Sequence, residues 1–130
     1  MENATENIEP WMVAFAQMES EIEQALKHSG DTHTVEDVFI GIAQGSFQFW
    51  RKGESVGITE IVDYPRTRQL NIFLAAGKME DMKTTLPDIE EYARKQKCKS
   101  ITLLGRKGWA RSFLKDEGYA APAQLLVKDL

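Results

Sequence analysis

The chain has 130 residues, of which 42% are hydrophobic and 28% charged, and it carries a net charge of −4. This composition favours a single folded domain over residues 1–130 with one modest core, and argues against a disordered chain. The weak negative charge excludes a global field for nucleic acid or an anionic membrane, and the lone Cys98 excludes an internal disulfide or a cysteine-cluster metal site. No stretch reaches the roughly 18 apolar residues of a membrane span.

The first segment is predicted to be flexible over residues 1–9 and helical afterwards. Apolar residues recur at steps of three and four from Pro10 to His28, with acidic and amide side chains between them, which indicates one amphipathic helix within residues 10–30. Its large apolar side chains are interpreted as core of this chain, with packing on a neighbouring subunit as the alternative. They are Trp11, Met12, Phe15 and Met18.

A second, shorter helix is predicted to begin after Thr34 and to end at Gly45. Thr34 can cap it, because Asp37 occupies the third helical position. The two histidines before it are interpreted as structural, since the sequence shows no partner that would make either one catalytic. His28 complements the end of the first helix, and His33 supplies polarity to the turn.

Three strands are predicted next, at Phe47–Arg51, Val56–Val62 and Leu70–Leu74. Short polar turns join them, which favours an antiparallel meander. A longer helix then runs from Met79 or Thr85 to Gln96, and the stretch from Gly77 to Thr85 is expected to be partly loop because Pro87 fits best in a first turn.

The last third of the chain is predicted to hold a strand, a helix and a strand, at Ser100–Leu104, Lys107–Glu117 and Gln124–Lys128. The full order of elements predicts a mixed α/β (α+β) fold. Its twisted sheet is largely antiparallel, with a parallel pair formed by Leu70–Leu74 and Ser100–Leu104, and about four helices flank it.

The end of the final helix carries a spaced set of residues, Ala110, Gly118 and Tyr119. With the element order, this set resembles the GNAT superfamily of acyl-CoA N-acyltransferases, and the GNAT-like core covers residues 33–130. More narrowly, the chain is similar to small GNAT-like proteins of tailed bacteriophages. The residues that carry this narrower resemblance are Thr34, Asp37, Gly45, Tyr64-Pro65, Ala75-Ala76-Gly77 and Gly105 to Trp109.

The resemblance implies a place for acyl-CoA between Leu70–Leu74 and Ser100–Leu104. The implied cofactor-binding residues are Leu74, Ala75, Ala76, Gly77, Lys78 and Arg106. In the superfamily a glycine-containing loop at a helix N-terminus cradles the diphosphate, whereas the corresponding residues 78–85 contain no glycine. Glu80 and Asp81 in this loop would also repel a diphosphate.

The resemblance also implies an acid catalyst in the final helix. A tyrosine there commonly protonates the leaving thiolate of CoA, but its position is Leu114 in this chain, which cannot donate a proton. Glu60 is the one catalytic candidate, as a base on a strand, and an outward-facing strand residue is the alternative reading.

Two further features have a functional and a structural interpretation. Arg106, Lys107 and Arg111 with Trp109 could hold the phosphates of CoA or an acidic partner, or they could flank a core tryptophan in solvent. Cys98 is interpreted as a half-buried thiol, since no base can be named beside it. No metal site is predicted.

Together these departures predict a phage-type GNAT-fold protein with degenerate acyltransferase motifs. It would be a non-catalytic binding or structural component that requires no cofactor, located in the host cytoplasm or the virion. Its partners would be virion or assembly proteins or a second copy, with no membrane and no nucleic acid. Two alternatives stay open: an N-acetyltransferase that uses acetyl-CoA, and a host-directed inhibitor.

Overall fold

The computed structural model describes residues 8–104 and 113–130. Its helices and strands confirm the predicted mixed α/β fold. In chain order they are α1 (Pro10–Gln17), α2 (Glu19–His28), α3 (Val35–Ala43), β1 (Gln48–Lys52), β2 (Ser55–Asp63), β3 (Arg68–Gly77), α4 (Met79–Lys95), β4 (Ser100–Leu103) and α5 (Phe113–Asp116).

The four strands form one sheet in the order β1-β2-β3-β4. The pairs β1–β2 and β2–β3 are antiparallel, and β3–β4 is parallel. This is the predicted meander followed by a crossover through α4. None of the helices within the described residues is both long enough and apolar enough to cross a membrane.

Two apolar clusters hold helices on opposite faces of the sheet. On the α1–α3 face, Phe15, Ile22 and Val38 pack against Ile58 and Leu74. On the α4 face, the packed residues come from β3, α4 and α5, and they include Leu70, Ile72, Leu86, Ile89 and Leu114. The sheet is therefore covered on both faces.

The predicted single N-terminal helix is wrong in one respect, because it is divided at Met18. Met18 leaves helical geometry at φ −109° and ψ 10° and separates α1 from α2. The apolar stripe continues through the break, since Phe15, Met18 and Ile22 are all buried. The core interpretation of Phe15 and Met18 is confirmed.

The predicted cap of α3 is confirmed, and Thr34 and Asp37 each accept a hydrogen bond from the backbone of the other. The Asp37 N–H donates to Thr34 Oγ1 at 3.1 Å, and the Thr34 N–H donates to Asp37 Oδ2 at 2.9 Å. The hydrogen bonds with Thr34, above all the one that the carboxylate accepts from the Thr34 backbone N–H, hold the pKa of Asp37 below its usual value. Gly41 in this helix lies so close to Phe47 that a Cβ there would be 2.8 Å from Cε2 of the ring.

The helix α4 begins at Met79, the earlier of the two predicted starts, so residues 79–85 are helical and only Lys78 separates the helix from β3. Pro87 lies inside the helix, and the backbone remains helical across it. Apolar contacts explain the tolerance, because Leu86 and Ile89 on either side of the proline are buried against the sheet. Packing of these residues outweighs the lost backbone hydrogen bond.

The predicted last strand, Gln124–Lys128, is also wrong, because these residues form no strand. The final helix is described only as α5, followed by Gly118 with φ +92°. The rest of its predicted span lies outside the described residues, as do Arg106, Lys107, Trp109 and Arg111 and the first seven residues.

Candidate functional site

The strands β3 and β4 run together for four residue pairs and then separate. Their register runs from Gln69 opposite Ser100 to Ile72 opposite Leu103. The strand β3 continues for five more residues to Gly77, and along these it pairs only with β2 among the described residues. Among residues 8–104 and 113–130, no strand therefore pairs with the β4-facing side of β3 from Phe73 to Gly77, and this side is called the open side of β3 below.

A β-bulge marks the point of separation. Ile58 lies opposite Leu74 and Thr59 lies opposite Ile72, so Phe73 is an extra residue in β3. As a result Phe73 and Leu74 both pack on the α1–α3 face, whereas Ala75 packs on the α4 face. A bulge interrupts a ladder and re-aims side chains, and here it does so where β4 ends.

An apolar cavity of about 50 Å³ lies on the α4 face beside the open part of β3. Ala75 and Ile72 of β3, Leu103 of β4 and Leu114 of α5 meet around it. The full lining is Ser55, Val56, Gly57, Ile72, Ala75, Met79, Met82, Thr85, Leu86, Ile89, Leu103 and Leu114. Leu114 therefore lies at the cavity and gives it an apolar wall.

The N-terminal turn of α4 is held against the turn between β1 and β2. Asp81 Oδ2 accepts a hydrogen bond from the Glu54 N–H at 2.9 Å, and Lys78 pairs with the Glu54 carboxylate. This pairing raises the pKa of Lys78. Within the described part of the chain, no side chain caps the first turn of α4. Asp81, which the sequence suggested only as a repelling charge, thus has a structural partner.

Gly77 is required because its backbone lies directly against the same turn between β1 and β2. Its φ is +100°, in the left-handed region, and a Cβ there would overlap the Glu54 carbonyl oxygen and lie 2.6 Å from Ser55 Cα. Any side chain would thus collide with backbone. The structure gives this glycine a packing reason that is separate from any phosphate contact.

A row of polar side chains crosses three strands just before the separation. Thr102 Oγ1 donates to Asn71 Oδ1 at 3.0 Å, and Asn71 Nδ2 donates to Glu60 Oε1 at 3.1 Å. By strand alternation all three lie on the α1–α3 face, where they are half-buried. Glu60 is therefore held by Asn71 rather than facing solvent alone, and its other carboxylate oxygen can accept a further hydrogen bond.

His33 lies on the same face, which sequence reasoning missed. Its ring meets that of Phe73 edge-on at a centroid distance of 4.7 Å, and Phe47 stacks on Phe73 at 5.2 Å. His33 Nδ1 is 2.7 Å from Thr32 Oγ1. The polar turn around His33 gave no sequence signal for this contact, because its partner lies 40 residues away in the chain.

The other predicted residues are dispersed. Leu74 is buried on the α1–α3 face, and Ala76 packs beside it. Cys98 is half-buried near the start of β4, and burial raises the pKa of its thiol. Tyr119 donates to Glu90 Oε2 at 3.0 Å, and its burial, together with this bond, raises its pKa. Within the described residues, no three His, Cys, Asp or Glu side chains form a metal-binding group.

Comparison with solved structures decides the fold. The Thermus thermophilus protein TTHA1254 superposes with a TM-score of 0.62 at 14% identity, over 88% of this chain and 92% of that one. An acetyltransferase of Trypanosoma brucei gives 0.59 at 13% identity, over 86% and 94%. The fold is GNAT-like.

A third structure extends the likeness to an enzyme with a stated substrate. The ribosomal-protein-alanine N-acetyltransferase of Brucella melitensis gives a TM-score of 0.57 at 11% identity, over 88% of this chain and 94% of that chain. No family model matches the sequence, and no curated protein matches it. At these identities the likeness establishes the fold alone.

Proposed function

We propose that the protein binds acetyl-CoA between β3 and β4 and transfers the acetyl group to an amine. The observation that carries this proposal is the open side of β3 from Phe73 to Gly77, next to the apolar cavity. An open strand side offers unpaired backbone N–H and C=O groups, which can pair with the two amides of a pantetheine arm. The GNAT-like neighbours support acetyl transfer at the level of the fold.

The cavity suits the apolar part of such a ligand better than its charged part. At about 50 Å³ it is smaller than a typical ligand pocket. Met79 and Met82 line it, and methionine side chains are flexible enough to move aside. Ala75 is the smallest side chain in the wall on β3, so a larger residue there would fill the space.

The first turn of α4 would meet the diphosphate, because its backbone N–H groups lack a side-chain cap. Lys78 lies at the start of this turn, and its pair with Glu54 is exposed and therefore weak, so phosphate can replace the carboxylate. Glu80 and Asp81 oppose this binding. We therefore expect micromolar rather than tighter affinity for acetyl-CoA.

Glu60 is the proposed base for the acceptor amine on the α1–α3 face. Acetyl-CoA would supply an activated thioester. As the amine nitrogen bonds to the carbonyl carbon and the C–S bond breaks, the amine proton passes to Glu60 directly or through water. Asn71 keeps the carboxylate in place by its hydrogen bond. Because Leu114 has no proton to give, the leaving thiolate takes one from solvent.

Binding is tested by isothermal titration of the purified chain with acetyl-CoA. We expect a micromolar dissociation constant, at least tenfold weaker binding for Ala75→Leu, and unchanged binding for the matched variant Ala75→Ser. Absence of heat up to millimolar ligand, with a folded protein, would overturn the proposal.

Catalysis is tested separately by release of CoA thiol in the presence of spermidine or short peptides with free amino termini. Glu60→Gln is expected to slow release about 10²-fold or more while acetyl-CoA binding is retained. His33→Asn is the comparison variant, because His33 lies on the same face. A larger loss in His33→Asn than in Glu60→Gln would assign the base to His33 instead.

A non-catalytic binding or structural role is the second candidate. Leu114 at the cavity and the contacts of Asp81 and Lys78 with Glu54 favour it, since leucine cannot act as an acid and two carboxylates lie beside the proposed phosphate position. The virion or assembly partners follow from the phage resemblance alone. Direct binding to purified virion proteins, with no heat from acetyl-CoA, would support this role; binding to one host enzyme with loss of its activity would support a host-directed inhibitor.

A further inference from the structure

One end of the sheet carries a cluster of positively charged side chains. The cluster comes from the turn between β2 and β3, the start of β3, the end of α4 and the residues that lead into β4. Its members are Arg66, Arg68, Arg94, Lys95, Lys97 and Lys99. All of them are exposed except Arg68, which is half-buried. These six residues are called the basic end below.

Hydrogen bonds hold the two chain segments of the basic end against each other. The Lys99 N–H donates to the Arg68 carbonyl oxygen at 2.8 Å, and Arg68 Nη1 donates to the Gln96 carbonyl oxygen at 3.0 Å. The parallel pairing of β3 with β4 begins directly afterwards, with Gln69 opposite Ser100. The two groups of cations are therefore neighbours in space, although 28 positions separate Arg68 from Gln96 in the chain.

The carboxylates at this end of β2 and α4 already have partners. Asp63 pairs with Arg68 at 2.6 Å, and Glu91 pairs with Lys95 at 3.2 Å. Glu90 accepts a hydrogen bond from a tyrosine hydroxyl. These contacts neutralise two of the six cations and leave the other four to act on a partner outside the chain.

The four remaining cations give the basic end a local excess of positive charge. They are Arg66, Arg94, Lys97 and Lys99, and within residues 8–104 and 113–130 none of them forms an ion pair. The whole chain has a net charge of −4. The sequence predicted no nucleic-acid partner from that total, which averages this end with the more acidic remainder of the molecule.

Lys97 lies at the tip of the turn between α4 and β4 in a conformation that favours glycine. Its φ is +63°, its N–H donates to the Arg94 carbonyl oxygen at 3.0 Å, and the Cys98 N–H donates to the Ala93 carbonyl oxygen at 2.9 Å. Glycine adopts this position after a helix without strain. The backbone therefore does not require lysine here, and the charge can be removed by Lys97→Gly without loss of the turn.

An exposed aromatic ring lies beside these cations. Tyr64 is 54% exposed, and its N–H donates to the Thr67 carbonyl oxygen at 2.8 Å across the turn between β2 and β3. The pair of Asp63 with Arg68 closes the same turn. An exposed aromatic ring next to lysine and arginine side chains is suited to stack on a nucleic-acid base while the cations contact the phosphates.

We propose that the basic end binds single-stranded nucleic acid. Arg66, Lys97 and Lys99 contact the phosphates of the strand, and Tyr64 stacks on a base. An acidic peptide offers charge for the cations but has no flat base for Tyr64. The basic end lies about 30 Å from Gly77, by the rise of about 3.3 Å per residue along β3, so this binding is independent of acyl transfer.

Fluorescence anisotropy of a short labelled oligothymidylate tests the proposal with the full chain. We expect micromolar binding at low salt that weakens about tenfold or more between about 50 and 200 mM salt. Lys97→Gly/Lys99→Gln is expected to weaken binding at least about fivefold. Lys27→Gln/Lys52→Gln changes the net charge by the same amount away from the basic end and should bind like wild type. No binding at low salt, or an equal loss in both double variants, would overturn the proposal.

A second set of measurements tests the chemical class of the partner. Tyr64→Ala is expected to weaken oligothymidylate binding about fivefold or more, whereas Tyr64→Phe keeps the ring and should bind like wild type. Tighter binding to polyglutamate, or to vesicles that contain phosphatidylglycerol, would assign the basic end to an acidic protein or a membrane and would contradict the proposal. Acetyl-CoA titration should give the same result for Lys97→Gly/Lys99→Gln as for wild type, because the two sites are separate.

Discussion

The two halves of β3 differ although they belong to one continuous strand. The lower half, Gln69–Ile72, has strands on both sides, and its apolar side chains Leu70 and Ile72 are buried under α4. The upper half, Phe73–Gly77, keeps only β2 as a partner among the described residues. The lower half thus joins β2 to β4, and the upper half carries the proposed binding side.

A bulge at Phe73 lies where the two halves of β3 meet. Alternation alone would place Leu70, Ile72 and Leu74 on one face, but the extra residue moves Leu74 to the α1–α3 face. The polar row of Glu60, Asn71 and Thr102 lies just below this point, and the cavity lies on the opposite face. The bulge, the polar row on one face and the apolar cavity on the other face therefore lie at the same level of the sheet.

The largest effect on the upper half is expected from Gly77→Ala. The new Cβ would overlap the Glu54 backbone, so we expect the free energy of unfolding to fall by about 2–4 kcal/mol. The control is Gly45→Ala, which has φ +83° and open space around it, and which should cost only about 1–2 kcal/mol of backbone strain. Urea denaturation followed by tryptophan fluorescence measures both, and equal losses would contradict the contact between Gly77 and the turn.

Gly41→Ala tests the packing of α3 against Phe47, the ring that stacks on Phe73 at the start of the upper half. Alanine usually stabilises a helix by up to about 1 kcal/mol relative to glycine, but here the Cβ would collide with Phe47, which stacks on Phe73. We expect a net loss of about 1–3 kcal/mol in thermal or urea denaturation. In a Phe47→Ala background the same change should become stabilising. If Gly41→Ala destabilises equally in both backgrounds, the collision is not the cause.

Asn71→Ala tests the polar row at the boundary between the two halves. It removes the donor to Glu60 and the acceptor for Thr102 in half-buried surroundings, so the free energy of unfolding should fall by about 1 kcal/mol. Thr102→Val removes only one hydrogen bond and should cost less. The proposed base also predicts slower acetyl transfer in Asn71→Ala at saturating acetyl-CoA, because Glu60 loses its support. Full acetyl-transfer activity in Asn71→Ala would show that the hydrogen bond from Asn71 to Glu60 does not contribute to catalysis.

The smallest effect is expected from the pH dependence of the α3 cap. Val38 of α3 belongs to the apolar cluster that buries Leu74 in the upper half of β3. The pKa of Asp37 is lowered in the folded state, so its contribution to stability is present above the unfolded value near 3.8 and is lost as pH falls through the folded value. The stability difference between wild type and Asp37→Asn should therefore be constant from neutral pH down to about 5 and shrink below about 4. Glu36→Gln, with no cap bond to lose, is the control, and a parallel pH profile for both variants would refute the assignment.

Sequence patterns predicted those parts of the fold that depend on local signals. The Thr34–Asp37 cap is a short-range exchange of hydrogen bonds, and the three strands of the meander alternate with polar turns. The parallel placement of β4 follows from the helical crossover through α4, which returns the chain to the end of the sheet where β3 began. These features need no knowledge of distant contacts.

Features that depend on distant contacts were not predictable. The break at Met18 occurs within an uninterrupted apolar stripe. The sequence left Met79 and Thr85 open as starts of α4, and the contact of Asp81 with the Glu54 backbone favours Met79. The sequence predicted the candidate site only in outline, because the resemblance implied a ligand beside β3 but no further detail. The bulge at Phe73, the hydrogen bond from Asn71 to Glu60 and the contact of His33 with Phe73 could not be predicted. Each depends on residues that are far apart in the chain. The predicted strand Gln124–Lys128 was wrong, because a strand requires a partner as well as a pattern, and no described strand pairs with these residues.

Backbone hydrogen exchange along β3, with and without acetyl-CoA, tests the central claim most directly. Without ligand, the N–H groups of Gln69–Ile72 should be protected, whereas those N–H groups of Phe73–Gly77 that do not pair with β2 should exchange quickly. Acetyl-CoA is expected to slow exchange in Phe73–Gly77 and to leave Gln69–Ile72 unchanged. Unchanged exchange in Phe73–Gly77 at saturating ligand, or protection that appears elsewhere, would contradict binding at the open side of β3.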